Sequence, residues 1–341
     1  MISVWRRPRS VGGIFSAVRG AHRIRELIRR YEIDVVLSRS TMPALATLLA
    51  RIPASTHVVY DADGLPLDER VEFAGQNASG VVLRLLRDVE AEIVRRACRV
   101  LVRSRSAISV LVSRAGAGTS DGKFHVVGNG RDPGEFFPSN DGRRSRIRAE
   151  IGLAPETPLL VYVGSMGPKY LLPEMLKLFR FVRSKRSDAH LLILTNDPSR
   201  VLPLVESESS IADGTHVMSV APSEVPSLLE CGDLGLALIL QSYSMTAVAP
   251  IKWGEYLLSG VPVVTTSGIG DTVLISGDCG MVVDMVDDES LQSVADWFVQ
   301  VVLGDREGFR QRCRALGIER FSLESSIERY RVALGGLHAG R

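Results

Sequence analysis

The sequence predicts an α/β chain of two doubly wound, Rossmann-like parallel-sheet domains. Three observations carry that expectation. Short β-branched runs alternate with longer segments of helical period, the pattern of parallel strands and their crossover helices. A length of 341 residues, 45% of them hydrophobic and 23% charged, suffices for two cores of ordinary size and shows no fibrous or disordered signature. Between Val127 and Leu159 the alternation breaks at Gly128, Gly130, Pro133, Gly134, Pro138 and Gly142 and then becomes highly charged, so a linker with a domain boundary near residue 140 is expected.

In chain order, the first half offers strands at Asp34–Ser38, Thr56–Tyr60, Arg99–Arg103 and Phe124–Val127, with helices at Arg19–Tyr31, Met42–Ala50, Val81–Ala97 and Ala107–Arg114. The second half offers strands at Leu159–Val163, His190–Thr195, His216–Val220, Leu234–Ile239, Val261–Thr265 and Met281–Val283. Its helices are expected at Leu172–Ser184, Pro222–Glu230, Ile251–Ser259, Leu291–Leu303 and Arg306–Ala315. A last amphipathic segment, Leu323–Leu334, is long enough for a helix packing across both halves. The expected division is therefore a first domain at 1–140, a second at 141–321 and a terminal helix within 322–341. The first half has only about four readable strands, and Met1–Trp5 is followed by arginines before Gly12-Gly13. Its opening strands are accordingly read as missing.

Charge narrows the partners. A net charge of +2 argues against a nucleic-acid binder driven by electrostatics. Residues 1–60, however, hold ten Arg against three acids, and such an excess beside an apolar helix face suits either anionic lipid heads or a solvated basic face. In the helix at Arg19–Tyr31 the apolar stripe of Val18, Ile24, Leu27, Ile28 and Tyr31 is expected to pack on its own domain, leaving only arginines for lipid. Cys98, Cys231, Cys279 and Cys313 are scattered, without zinc or redox-dithiol spacing, and the six His show no metal spacing. No metal or cofactor is called for. With no apolar run of about 18 residues and no secretory apolar core, a cytoplasmic protein, at most peripheral at the membrane, is expected.

The stretch Ala249–Thr266 is the most informative. Pro250 suits a helix start, Gly260 its end, and a buried strand follows, so the helix N-terminus offers unpaired N–H groups to an anion. Lys252 lies in the first turn, where the helix dipole disfavours a cation unless an anion shares the site, and it is one of five Lys against 36 Arg. Its ammonium suits a diphosphate leaving group. Glu255, three residues on, could accept hydrogen bonds from sugar hydroxyls, or the two could form a surface ion pair. A second stretch, Leu159–Lys169, is a strand ending in Gly164, Ser165 and Gly167, which admit a phosphate closely or simply make a turn. Other strand ends nominate Thr195 and Asn196, Val220, Ser244 and Ile251, and Gly270 with Asp271, for the donor. In the first half Arg39, Asp61 and Asp63 mark the acceptor side; the two acids read as an acid/base or metal pair, or as turn residues, and Ser106 as a helix N-cap.

These residues resemble glycosyltransferase family 4, the retaining, nucleotide-sugar-dependent enzymes of GT-B fold, over roughly residues 30–335. Val126-Val-Gly-Asn-Gly-Arg-Asp132 with Phe136-Phe-Pro138 is similar to the family's Asn-Gly-x-Asp turn and Phe-x-Pro exit into the linker; Tyr162-Val-Gly-Ser165 with Glu174-Met-Leu176 is similar to the opening of its donor domain. Pro250–Val264 resembles its donor-binding helix and following strand, the most specific match of the three. The resemblance implies two domains facing a cleft and transfer of a hexose from a nucleotide-diphosphate sugar to a glycan, lipid-linked or small-molecule acceptor, in cell-surface polysaccharide or glycoconjugate synthesis. It makes Glu255 the second glutamate of a Glu-x7-Glu pattern, which holds the donor ribose. The first glutamate falls at Ala247, Ser165 stands at the usual Arg place and Lys169 is one residue short of the usual Lys, so Lys252 is expected to supply the missing charge. Two rivals stand beside this reading: a non-catalytic sugar-nucleotide-binding relative and a nucleotide-sugar epimerase.

Overall fold

Both halves of the chain form the parallel sheets that the alternation predicts. The computed structural model describes residues 11–138, 140–275 and 277–337. They divide into unit 1, comprising Met1–Val127, Ser242–Ala249 and Glu328–Arg341, and unit 2, comprising Gly128–Gln241 and Pro250–Ile327.

Unit 1 holds a four-stranded parallel sheet in the order β1-β2-β3-β4, from β1 (Val35–Arg39), β2 (His57–Asp61), β3 (Arg99–Val102) and β4 (Phe124–Val126). Its helices are α1 (Val11–Tyr31), α2 (Thr41–Leu49), α3 (Pro66–Phe73), α4 (Val81–Arg96) and α5 (Arg105–Ala115). Alternate strand residues fill both faces of the sheet. Tyr60, Val100 and Val102 meet Ala44, Ile93 and Leu111 on one face, whereas Val59 and Leu101 meet Val127, Ala333 and Leu337 on the other.

Unit 2 holds a six-stranded parallel sheet in the order β10-β9-β8-β5-β6-β7. Its strands are β5 (Leu159–Val163), β6 (His190–Leu194), β7 (Thr215–Met218), β8 (Leu234–Ala237), β9 (Val263–Thr266) and β10 (Gly280–Val283). The helices are α6 (Asp141–Glu150), α7 (Leu172–Lys185), the short α8 (Leu202–Glu206), α9 (Ser209–Ala212) and α10 (Val225–Leu229), then α11 (Ile251–Leu258), α12 (Asp288–Trp297) and α13 (Arg306–Phe321). α14 (Leu323–Leu334) begins in unit 2 and ends in unit 1. From β5 the chain runs outward through β6 and β7, then returns to the other side of β5 with β8. A topological switch point therefore lies between β5 and β8.

Three local expectations need correction. The charged stretch read as linker contains α6, capped by Asn140, whose side chain accepts from the Arg143 N–H. Its arginines face inward: Arg144 and Arg148 donate to the buried Asp233 at the start of β8, at 2.5 and 2.9 Å, and the Leu159 N–H reaches the same carboxylate at 2.9 Å. At α5 the cap is Ser104, which accepts from the Ala107 N–H at 3.3 Å, so Ser106 lies inside the helix. In α1 the residues turned inward are Ala17, Ala21 and Ile28, while Val18 and Tyr31 of the expected stripe stay exposed with Ile14 and Phe15. Small side chains let this helix approach α2 closely, since a Cβ on Gly20 would stand 3.3 Å from the Ala46 Cβ.

Burial opposes ionisation of Asp233, but Arg144, Arg148 and Arg306 outweigh it and hold the carboxyl below its usual range. Removing one partner of such a cluster leaves a buried charge uncompensated, at about 3–5 kcal/mol. Asp233→Ala is expected to lose stability on that scale in urea unfolding; a midpoint within error of wild type would reduce the cluster to a bystander.

Candidate functional site

The carboxyl edge of the six-stranded sheet gathers most of the residues expected for the donor. Gly164 and Ser165 follow β5, Thr195 and Asn196 follow β6, Val220 lies beyond β7, and Gly270 and Asp271 lie beyond β9. Ile251 opens α11, with Pro250 as its N-cap rather than its first helical residue. Thr195 is buried and its hydroxyl accepts from the Asp197 N–H at 3.2 Å, which makes it part of its own turn. Ser165 and Asn196 are exposed, and Lys169 is half-buried with its ammonium 5.7 Å from the Tyr170 ring centroid.

α11 is fixed by close packing. A Cβ on Gly317 of α13 would come within 2.7 Å of the Leu258 nitrogen, and one on Gly235 of β8 within 2.6 Å of the Tyr256 ring. Both glycines bring neighbouring elements closer than any side chain allows. The helix ends as expected on Gly260 at φ +74°, where the Gly260 and Val261 N–H groups return to the Leu257 and Tyr256 carbonyls at 3.0 and 2.9 Å.

Lys252 departs from the expectation of a cleft-facing surface cation. It is 7% exposed and its Nζ has no hydrogen-bond partner. The ammonium lies 4.1 Å from the Tyr162 ring centroid and 4.2 Å from that of Tyr170. Tyr162 belongs to β5 and Tyr170 bridges to Ile239 just past β8, so the charge sits at the switch point, beneath Gly164. Burial pushes the Lys252 ammonium down to about 7, with Glu255 opposing the fall and Lys169 adding to it. The alternative reading, a Lys252–Glu255 ion pair, is not what forms. Glu255 instead accepts from Arg131, at 3.0 Å from Nε and 2.9 Å from a terminal guanidinium nitrogen, and burial raises its carboxyl despite Arg131 and Lys252.

Arg131 is the site residue that sequence reading missed, although it lies within the Asn-Gly-Arg-Asp turn already singled out. Its backbone is anchored as well: its N–H donates to Phe321 at 2.9 Å and its carbonyl accepts from Leu323 at 2.8 Å.

Ser244 is not with the other donor candidates. The segment Ser242–Ala249 belongs to unit 1, where Glu72 takes the Ser242 hydroxyl at 2.7 Å and the Ser244 N–H at 3.2 Å, and the Ser104 hydroxyl donates to the Thr246 carbonyl at 2.8 Å. Also in unit 1, Asp61 and Asp63 are not a free acid pair. Arg103 donates to Asp61 at 2.9 Å and to Asp63 at 3.3 Å, and Arg39 grips Asp63 with bonds of 2.8 and 3.0 Å. Guanidinium groups already neutralise both carboxylates, which removes the charge that a metal would need. Among the described residues no group of three or more His, Cys, Asp or Glu is placed to hold a metal.

A family model, Glycosyl transferases group 1, matches residues 157–300, the segment that contains β5–β10 and α11. Over that segment the chain is similar to the group 1 glycosyltransferases. The chain is 26% identical over 269 residues to D-inositol 3-phosphate glycosyltransferase of Nocardia farcinica, a match covering 74% of the chain and 56% of that relative's length. Its fold is similar to that of a glycosyltransferase from Rickettsia africae (TM-score 0.74, 16% identity, 98% of this chain and 84% of that one). It is likewise similar to Anabaena HepE in complex with UDP and glucose (TM-score 0.73, 13% identity, 98% and 84% coverage). These likenesses give the chain its GT-B fold class of two parallel-sheet α/β domains.

An ammonium held near pH 7 by burial opposes folding between that value and the ordinary lysine range, because the unfolded chain binds the extra proton there. The penalty is largest below about pH 7 and fades as pH rises toward about 10.5. Lys252→Met is accordingly expected to melt higher than wild type at pH 7, with the gap narrowing at pH 9; a Met variant that melts lower at both would show that the ammonium is needed for packing.

Proposed function

We propose that this chain is a glycosyltransferase that transfers a hexose, with retention, from a nucleotide-diphosphate sugar to a glycan, lipid-linked or small-molecule acceptor. The observation that carries the reading is the buried, unpartnered Lys252 ammonium at the switch point, beside the first turn of α11 and beneath Gly164. A positive charge and unpaired helix N–H groups at one sheet edge suit a diphosphate, and the UDP bound by Anabaena HepE, a protein of similar fold, supports that ligand class.

In this mechanism the helix N-terminus and Lys252 stabilise the charge that develops on the departing diphosphate, in an environment where it is worth more than in water. Glu255, steadied by Arg131, holds the ribose through the carboxylate capacity that Arg131 leaves. The resemblance to family 4 assigns removal of the acceptor proton to the leaving phosphate itself, so no protein nucleophile is invoked. Arg39, Asp61 and Asp63 remain the acceptor-side proposal, as a neutralised polar surface rather than as acids or metal ligands.

A thermal-shift screen with UDP, GDP and their sugars tests the donor. Ligand at 100 times its dissociation constant stabilises by about 2.7 kcal/mol, and Glu255→Ala is expected to demand more nucleotide for the same shift. No shift with any nucleotide diphosphate sinks the donor reading; binding without transfer or hydrolysis favours the non-catalytic rival, and an epimerised free nucleotide sugar the other.

Peripheral attachment to an anionic membrane belongs to the same proposal. No helix among the described residues is long and apolar enough to cross a bilayer. α1, however, exposes Ile14, Phe15 and Val18 beside the exposed Arg19, apolar side chains and a cation on one helix. Arg6, Arg7 and Arg9, three of the ten Arg in residues 1–60, lie outside the described residues. Co-sedimentation with anionic vesicles is expected, reduced several-fold by Phe15→Ser and by high salt; equal recovery with neutral vesicles, or none with either, points to a solvated face.

A further inference from the structure

A buried ammonium with no carboxylate bonded to it gives up its proton unless something else stabilises the charge. Around Lys252 that role falls to two aromatic faces. The Tyr162 and Tyr170 rings stand edge to face, with centroids 6.2 Å apart and planes at 74°, and both centroids lie within 4.2 Å of Nζ. Cations within about 6 Å of a ring centroid are attracted by its quadrupole, more strongly when water is excluded.

The Tyr162 ring and the Tyr170 backbone are both held by hydrogen bonds. The Tyr162 hydroxyl donates to the Ser165 carbonyl at 2.7 Å, while the Tyr170 N–H donates to the Gly167 carbonyl at 3.0 Å, so the loop from Gly164 to Tyr170 folds over the ammonium. Gly164, at φ +136°, completes the cover: a Cβ there would stand 3.4 Å from Nζ. The other titratable or charged groups facing Lys252 are accounted for. Glu255 on the same helix is engaged by Arg131, and Lys169 on the loop repels the ammonium. Tyr256 on α11 accepts from the Val163 N–H at 3.0 Å and donates to the Leu236 carbonyl at 3.2 Å.

We propose that Tyr162 and Tyr170 are positioning residues of the donor site, whose ring faces keep Lys252 charged without a bonded protein anion, so that the donor diphosphate at the Gly164–Ser165 loop becomes its counter-ion. The identity of that anion rests on the donor reading above; the aromatic cage does not. Because the rings compete with burial for the proton of Lys252, they also set the upper end of the pH range over which the donor binds well.

Lysine 13Cε NMR on the full chain tests the cage. With five lysines the Lys252 signal is assigned by its loss in Lys252→Arg. Tyr170→Leu is expected to lower the Lys252 titration midpoint by about one unit, the scale of one desolvated cation–π contact, whereas Tyr170→Phe, which keeps the face, retains the wild-type midpoint. Pentafluorophenylalanine at position 170 keeps the shape and removes the negative face, so it covers the case in which Tyr170→Leu does not fold; it is expected to behave as the Leu variant. A midpoint unmoved by fluorination, or a Phe variant that titrates like Leu, overturns the cage.

Kinetics supply the second readout. In Tyr170→Leu the KM for the nucleotide sugar is expected to rise about tenfold at pH 8 and far less at pH 6, with kcat changed little, and Tyr170→Phe rescues it. A pH-independent rise overturns the positioning role. Adding UDP to wild type is expected to raise the Lys252 midpoint; an intact cage whose midpoint ignores UDP overturns the counter-ion role and the donor reading, while leaving the aromatic contacts in place.

Discussion

The charge on Lys252 has been taken out of water at the one point of the six-stranded sheet where the crossovers leave in opposite directions, and much of unit 2 is arranged around that constraint. Strand order makes the crevice between β5 and β8. Tyr162 comes from one of those strands and Tyr170 from the loop that bridges to the end of the other, so the cage exists only while β5 and β8 are neighbours. The backbone at Gly164 must pass closely over the ammonium, and its φ of +136° suits glycine. The lysine is held in place by α11, and α11 by the contacts that Gly235 and Gly317 permit.

The supports behind that helix are ionic. Glu255 faces Arg131 rather than Lys252, and Arg131 is held by backbone bonds to Phe321 and Leu323 at the junction of α13 and α14. Deeper in the unit, Asp233 joins α6 to the start of β8 and to Leu159 at the start of β5. The two strands that frame the switch point are therefore tied together at their amino ends by one carboxylate. Carboxylate and ammonium are both buried, but the first has three guanidinium partners and the second has none, which is why one ionises more readily than usual and the other less.

Periodicity made the sheets and most helices legible, since all ten strands read from the sequence have counterparts within two or three residues, and Leu323–Leu334 coincides with α14. What escaped was information that lives in tertiary partners. Arg144 and Arg148 read as a charged linker because a guanidinium four residues from another looks solvated until Asp233, far along the chain, is placed beneath both. The burial of Lys252 was not legible because the two rings that enclose it lie on other elements, and the buried face of α1 was read only in part, at Ile28, because Ala17, Gly20 and Ala21 count for little on a hydrophobicity scale yet allow close approach to α2. The gathering of the candidate residues at one sheet edge was legible for a different reason: placing residues at strand carboxyl ends needs only the order of strands and loops.

The departure at Ala247 gains a physical meaning from the same structure. Ala247 is fully buried in the core of unit 1 with Tyr60, Ala62 and Leu65, and Glu72, Ser104 and Arg114 fasten the surrounding segment there. A glutamate at that position would put an unpaired carboxylate among apolar side chains, at a cost of several kcal/mol or a shift to its neutral form. The alanine is thus what this packing requires, and under the donor reading any grip on the hexose hydroxyls has to come from elsewhere. Polar groups at the carboxyl edge that do not belong to unit 1 are the available source: the exposed Ser165 and Asn196, and the turn at Gly270 and Asp271. Donor-sugar selectivity would then be read by loops of unit 2, while residue 247 serves the core of unit 1.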